Sequence, residues 1–165
     1  STQSRSSAAS DVYKRQPLPF ADDSFALVSS RHPVAVDWAE VSRVLAPGGS
    51  YLAQHVGPAS AFELVEEFLG PQPTEIRSRR DPEVEASEAR AAGLDVVDLR
   101  TERLRIEFYD VGAIVWFLRK VIWLVPGFDS ASHRERLQSL HERLQEGPFV
   151  AHSSRTLIEA RKPRR

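Results

Sequence analysis

Apolar and polar positions follow two different periods along this chain, and the changes of period mark its elements. Phe25 to Ser30 (FALVSS) is a short apolar run that predicts a buried strand. From Pro33 to Leu45, residues Val36, Ala39, Val41, Val44 and Leu45 recur at helical spacing, and Pro47-Gly48-Gly49 is the expected stop. Ser50 to Val56 (SYLAQHV) predicts the next strand. Ala59 to Leu69 predicts a helix with Phe62, Leu64, Val65, Phe68 and Leu69 on one side, ended by Gly70-Pro71. After a polar stretch over 71–83, Val84 to Ala92 predicts a short helix closed by Gly93. Leu94 to Leu99 predicts a strand, and Leu104 to Tyr109 a second strand or its extension. Asp110 to Val125 predicts a strongly apolar helix stopped by Pro126-Gly127. Ser132 to Gln145 predicts an amphipathic helix with Leu137, Leu140 and Leu144 on one face. Phe149-Val150 and Thr156 to Ala160 suit one last long or broken strand. Strands that alternate with helices, with short Gly/Pro punctuation, predict an α/β fold with a largely parallel sheet.

Composition narrows the picture. The chain has 165 residues and a net charge of −1, from 22 basic and 23 acidic residues. That size allows one ordinary domain, and that balance argues against a broad electrostatic footprint for nucleic acid. The absence of cysteine excludes disulfides, Cys-ligated metal and thiol catalysis. Methionine is absent too, and the chain begins at Ser1, so the expectation is a fragment. Residues 1–16 are polar and Ser-rich with no apolar core of a secretion signal, and they are expected to be a non-native or disordered tail. The apolar run at 111–125 is too short to span a bilayer and carries Arg119-Lys120 in its middle. A cytoplasmic bacterial protein is the expectation.

Four stretches then carry a resemblance. LPFADDSFALVSS (18–30), E-x-x-R-V-L-x-P-G-G-S-Y-L (40–52), AAGLDVVD (91–98) and RTLIEARKP (155–163) stand in the order and spacing of class I S-adenosylmethionine-dependent methyltransferases. The resemblance covers 17–163. It implies the C-terminal part of a doubly wound, Rossmann-like methyltransferase sheet. In that family seven strands are ordered 3-2-1-4-5-7-6, with the last antiparallel. Residues 25–31, 50–56, 94–100 and 154–161 would be strands four to seven, and 110–146 a helical insertion that acts as a lid. The departures are large. The first three strands, the glycine-rich turn after strand one and the acidic residue that holds the ribose have no counterpart, and no G-x-G-x-G occurs in the chain. Ala26 stands where the family often has Asp.

The resemblance implies S-adenosylmethionine as cofactor, no metal, and a small molecule as methyl acceptor. Leu18, Pro19 and Phe20 would run beside the adenine, while Ser30 and Arg31 would face the methionine end. His32 is the base candidate because its ring titrates near neutrality, and methyl transfer sometimes needs a base for the nucleophile's proton. His55 is the second catalytic candidate, and Gln54 beside it could reach substrate. Tyr109, Asp110, Trp116, Phe117 and Trp123 are candidates for the acceptor pocket. Each has a plain alternative: helix capping for Arg31 and His32, a hydrophobic plug for Leu18–Phe20, core packing for 111–125. Glu40 and Arg43 read as a solvated helix pair, and His133, His141 and His152 as scattered histidines with no metal spacing. Two other functions stay open. An RNA-base methyltransferase would use Arg77, Arg79 and Arg80 as its anchor. A non-catalytic α/β binding or interaction module needs none of these roles.

Overall fold

The structure is a computed structural model that describes residues 17–164; the expected tail over 1–16 lies outside the described residues. Ten elements follow in order: β1 (Phe25–Arg31), α1 (Trp38–Val44), β2 (Leu45–Val56), α2 (Phe62–Leu69), α3 (Thr74–Arg77), α4 (Pro82–Ala91), β3 (Asp95–Phe108), α5 (Val111–Lys120), α6 (Arg134–Arg143) and β4 (Phe149–Arg161). The four strands form one sheet in the order β1-β2-β4-β3. β1 and β2 are parallel. β4 runs antiparallel to β2: Gly48 N–H donates to the Lys162 carbonyl, while further along β2 the Gly57 N–H donates to the Ser154 carbonyl, each at 2.9 Å. The expectation of a largely parallel sheet is corrected to this one parallel pair. β1 ends the sheet, so among the described residues it is paired on one side only.

The chain divides into two compact units, and each holds its own core. The first takes the residues up to His55, then Pro82–Arg100 and Thr156 onward. Its core packs Trp38 and Val41 of α1 against Tyr51 and Ala53 of β2, with Ala89, Leu94, Ile158 and Ala160. The second takes Val56–Asp81 and Thr101–Arg155. Its core is built of Leu64, Phe68, Phe108, Ile114, Leu118, Val125, Leu140 and Leu144. Burying a leucine or isoleucine of this kind stabilises by roughly 1.5–3 kcal/mol before chain entropy is counted.

Several boundaries differ from the sequence reading. α1 starts only at Trp38, where Asp37 caps it by accepting the Glu40 N–H at 3.1 Å. It ends at Val44 without glycine, because Leu45 turns straight into extended backbone and its N–H still reaches the Val41 carbonyl. Pro47-Gly48-Gly49 therefore does not stop the helix. It forms an irregularity within β2, where the partner of Phe25 is Leu45 but the partner of Leu27 is already Ser50. Gly48 takes the left-handed conformation there, at φ +82°. The polar gap Thr101–Arg103 does not split β3, which runs unbroken from Asp95 to Phe108. Likewise 149–161 is one strand. α5 ends at Lys120 rather than Val125, and 121–133 follows as turns that still bury Val125.

Candidate functional site

The first unit holds the candidates for cofactor and base, three of which, Ser30, Arg31 and His32, stand at the C-terminal end of β1. Register places Ser30 opposite Ala53 and Arg31 opposite Gln54. His32 leaves the strand in the left-handed region at φ +52°, with its N–H held by the Gln54 carbonyl at 2.7 Å. A histidine with positive φ is uncommon and marks a sharp exit from the strand. Arg31 and His32 are exposed, and Ser30 and Gln54 are half-buried.

On β2 the period of two puts Tyr51, Ala53 and His55 on the buried face. The Tyr51 ring meets Trp38 edge to face, with centroids 5.1 Å apart. Its hydroxyl lies 2.9 Å from Ser30 Oγ and 3.1 Å from His55 Nε2. His55 Nδ1 lies 2.6 Å from Glu85 Oε2 of α4. The partners fix the directions when Glu85 is ionised and His55 neutral. A carboxylate only accepts, so Nδ1 carries the proton. Nε2 then accepts from the Tyr51 hydroxyl, and the Tyr51 oxygen accepts from Ser30. Burial, followed by the nearby Glu85 charge, raises the Tyr51 phenol above its ordinary pKa although the Ser30 bond acts the other way, so the phenol stays a donor. His55, expected to reach substrate itself, is 2% exposed and has both ring nitrogens engaged. It presents no free nitrogen to solvent.

Leu18, Pro19 and Phe20 are exposed, and α1 holds them in place. Arg43 donates to the carbonyls of Leu18 and Phe20, at 3.1 and 2.8 Å, and to Asp22 at 2.7 Å. Glu40 accepts from the Leu18 N–H at 2.7 Å and from Arg43 at 2.8 Å. The bond from Arg43, then that from Leu18, brings the Glu40 carboxyl down to about 2. The sequence reading made this pair a solvated helix face. It is instead a clasp that fixes the backbone of residues 18–22.

The remaining candidates belong to the second unit. Asp110 caps α5 by accepting the Ala113 N–H at 2.9 Å. Tyr109 is exposed and donates to Glu107. Phe117 packs edge-on to Phe108, at 5.4 Å, and is a core contact. Trp116 and Trp123 are exposed, with the Lys120 ammonium 6.0 Å from the Trp116 ring. Arg77 is committed to Glu66 and lies over the Phe62 ring at 5.8 Å, which takes one member out of the expected arginine anchor. His152 is bonded to Glu63 at 2.7 Å. A surface hollow of about 470 Å³ lined by Glu67, Glu135, Arg136, Ser139 and Arg143 contains none of the candidates. Among the described residues no cluster of three or more His, Asp or Glu is placed to hold a metal ion, and no helix is long and apolar enough to cross a membrane.

Sequence reasoning missed Tyr51 and Glu85. Tyr51 reads as an ordinary core residue of a strand, and Glu85 as one acid in a charged helix. The one available signal was the i, i+4 spacing of Tyr51 and His55, which puts both on one strand face.

No protein-family model matches the chain, and no curated protein matches it. Solved structures do. A Bacillus halodurans protein, named provisionally as a methyltransferase, superposes with a TM-score of 0.55 at 19% identity, over 88% of this chain and 73% of that one. The YcgJ protein of Bacillus subtilis gives a TM-score of 0.51 at 18% identity, over 95% of this chain and 76% of that one. A Methanosarcina mazei protein named as a SAM-dependent methyltransferase is 14% identical, with a TM-score of 0.47 over 90% of this chain and 64% of its own. The sheet order β1-β2-β4-β3, its parallel and antiparallel pairs and the first two superpositions agree: the described residues have the α/β, Rossmann-like fold of class I methyltransferases.

Proposed function

We propose that the chain serves S-adenosylmethionine-dependent methyl transfer to a small-molecule acceptor. The observation that carries the reading is the strand arrangement. Numbered as the resemblance numbers them, β1, β2, β4 and β3 are strands four, five, seven and six, in the family's spatial order. In doubly wound sheets ligands bind beyond the carboxyl ends of the strands. Ser30, Arg31 and His32 stand at that end of β1.

The residues present fit one side of the cofactor. Leu18–Phe20, held by the Arg43–Glu40 clasp, would lie along the adenine, and Ser30 and Arg31 would meet the methionine end. The cofactor supplies an electrophilic methyl group when bound. The glycine turn and the ribose carboxylate have no counterpart among residues 17–165, so affinity of this chain for the cofactor should be weak. The exposed His32 is the candidate base. The small-molecule reading gains support from Arg77, whose pairing with Glu66 weakens the basic patch that RNA would need.

The test is a titration of the isotope-labelled chain with S-adenosylhomocysteine, read by amide chemical shifts. Binding at about 1 mM, worth roughly 4 kcal/mol, should move the signals of Phe20, Ser30, Arg31 and His32 together. An unchanged spectrum at that concentration would sink the reading.

A further inference from the structure

Ser30, Tyr51, His55 and Glu85 come from β1, β2 and α4, lie between 4 and 55 residues apart in sequence, and meet as one continuous line of hydrogen bonds of 2.9, 3.1 and 2.6 Å. Its inner members are buried: Tyr51 is 1% exposed and His55 2%. Glu85 is half-buried at the far end, and Ser30 is half-buried at the end that adjoins Arg31 and His32. A fold gains little by burying a histidine–carboxylate pair, since apolar side chains of the same volume would do as well. What the pair does provide is a base connected through Tyr51 to a hydroxyl at the candidate site.

We propose that these four residues form a proton relay that opens at Ser30. Ser30 Oγ donates inward to Tyr51, which leaves its lone pairs free to accept from a bound ligand group X–H. On transfer the X–H bond breaks and its electron pair stays on X. That proton bonds to Ser30 Oγ as Ser30's own proton passes to the Tyr51 oxygen. The Tyr51 proton passes to His55 Nε2. His55 becomes an imidazolium, neutralised by Glu85 across the 2.6 Å contact. Every oxygen keeps one proton and the charge moves as a chain, so no alkoxide forms within the protein. The groups facing the imidazole are Glu85 from α4, Tyr51 from its own strand and, through Tyr51, Ser30 from β1. The raised phenol pKa of Tyr51 agrees with a group that hands protons on rather than holding a charge. Only the identity of X, a hydroxyl or amine about to be methylated, rests on the function proposed above; the relay itself stands on the geometry.

The experiment uses the full chain and needs no turnover. Nitrogen-15 NMR of the His55 ring should show a proton on Nδ1 and an acceptor at Nε2, and Tyr51→Phe should change the Nε2 signal. Exchange of the Tyr51 hydroxyl proton with solvent, followed by NMR, then separates a relay from mere packing. If Ser30 is the exit, Ser30→Ala should slow that exchange roughly tenfold, the factor one net hydrogen bond carries, and Ser30→Thr should restore it. If the contact is only structural, trimming Ser30 loosens its neighbour and exchange becomes faster or stays the same. Either of those results, or a His55 ring protonated at Nε2 alone, overturns the relay. The titration with S-adenosylhomocysteine is read at other nuclei, so failure of the methyltransferase reading would be seen separately.

Discussion

Each unit of this molecule sets a histidine against a glutamate at nearly the same distance, 2.6 Å for His55–Glu85 and 2.7 Å for His152–Glu63. Their surroundings differ. The His55 side chain is 3% exposed and bonded at both nitrogens. The His152 side chain is 34% exposed, and Glu63 shares its carboxylate with Arg103 and with the His152 backbone N–H. In the first pair water is kept from the imidazole, so His55 depends on Glu85 and Tyr51 for its hydrogen bonds, although the Glu85 side chain keeps 24% exposure. In the second, water can replace whichever partner is lost. The same two side chains thus make a committed network in one unit and a replaceable surface contact in the other.

The widest gap should come from deleting the histidines. His55→Ala opens a hole and strips Tyr51 and Glu85 of a partner, which should cost about 3 kcal/mol in urea unfolding. His152→Ala should cost less than about 1 kcal/mol. Equal losses would erase the distinction. Tyr51→Phe comes next: it keeps the ring against Trp38 but orphans His55 Nε2 and Ser30, at about 1.5 kcal/mol. A loss under about 0.5 kcal/mol would mean that water enters the network.

A smaller effect concerns acid. Burial pushes the Glu63 carboxyl up, but its bonds to His152 and to backbone N–H groups outweigh burial, so the net pKa lies below the ordinary 4.5. A depressed carboxylate stabilises the fold fully above its unfolded pKa and loses that contribution as pH falls through the folded value. Glu63→Gln should therefore flatten part of the stability decline below about pH 4.5, as seen in thermal melts at stepped pH. A decline identical to the parent's would remove Glu63 from the acid response. Smallest of all is Arg103→Ala. It removes one exposed ion pair of 3.1 Å and should change stability by no more than about 0.3 kcal/mol.

The sequence announced strands and helices where apolar period and backbone geometry coincide. Phe62–Leu69 is an example, and so is the strand at Phe25–Arg31, although its apolar run predicts a buried strand and none of its residues is buried, because β1 lies at the end of the sheet. It misled where the two part. In 121–125 the apolar pattern outlasts α5, because Val125 packs into the second core from a turn. At Thr101–Arg103 the polar side chains interrupt the pattern of β3 while its backbone continues. The candidate site was half legible. Ser30 to His32 could be placed because they close a recognisable strand, and His55 because histidines attract notice. Glu85 lies 30 residues from His55, and only the packing of α4 over the sheet joins them. Arg43 was visible as half of a helix pair, yet its fork turns back to residues 18–22 across some two dozen positions. No local spacing rule carries such information.

The place of β1 at the end of the sheet has a consequence for handling and for abundance. Half of its amide and carbonyl groups point away from β2, and among the described residues no strand meets them. Leu27 lies within it at 58% exposure, and no lysine or proline blunts the run. Such an edge is a template for another extended chain. The molecule should then set its own ceiling on concentration. Dilute solutions would hold separate chains, while crowded ones would drift toward strand-to-strand assemblies whose growth nothing in β1 limits.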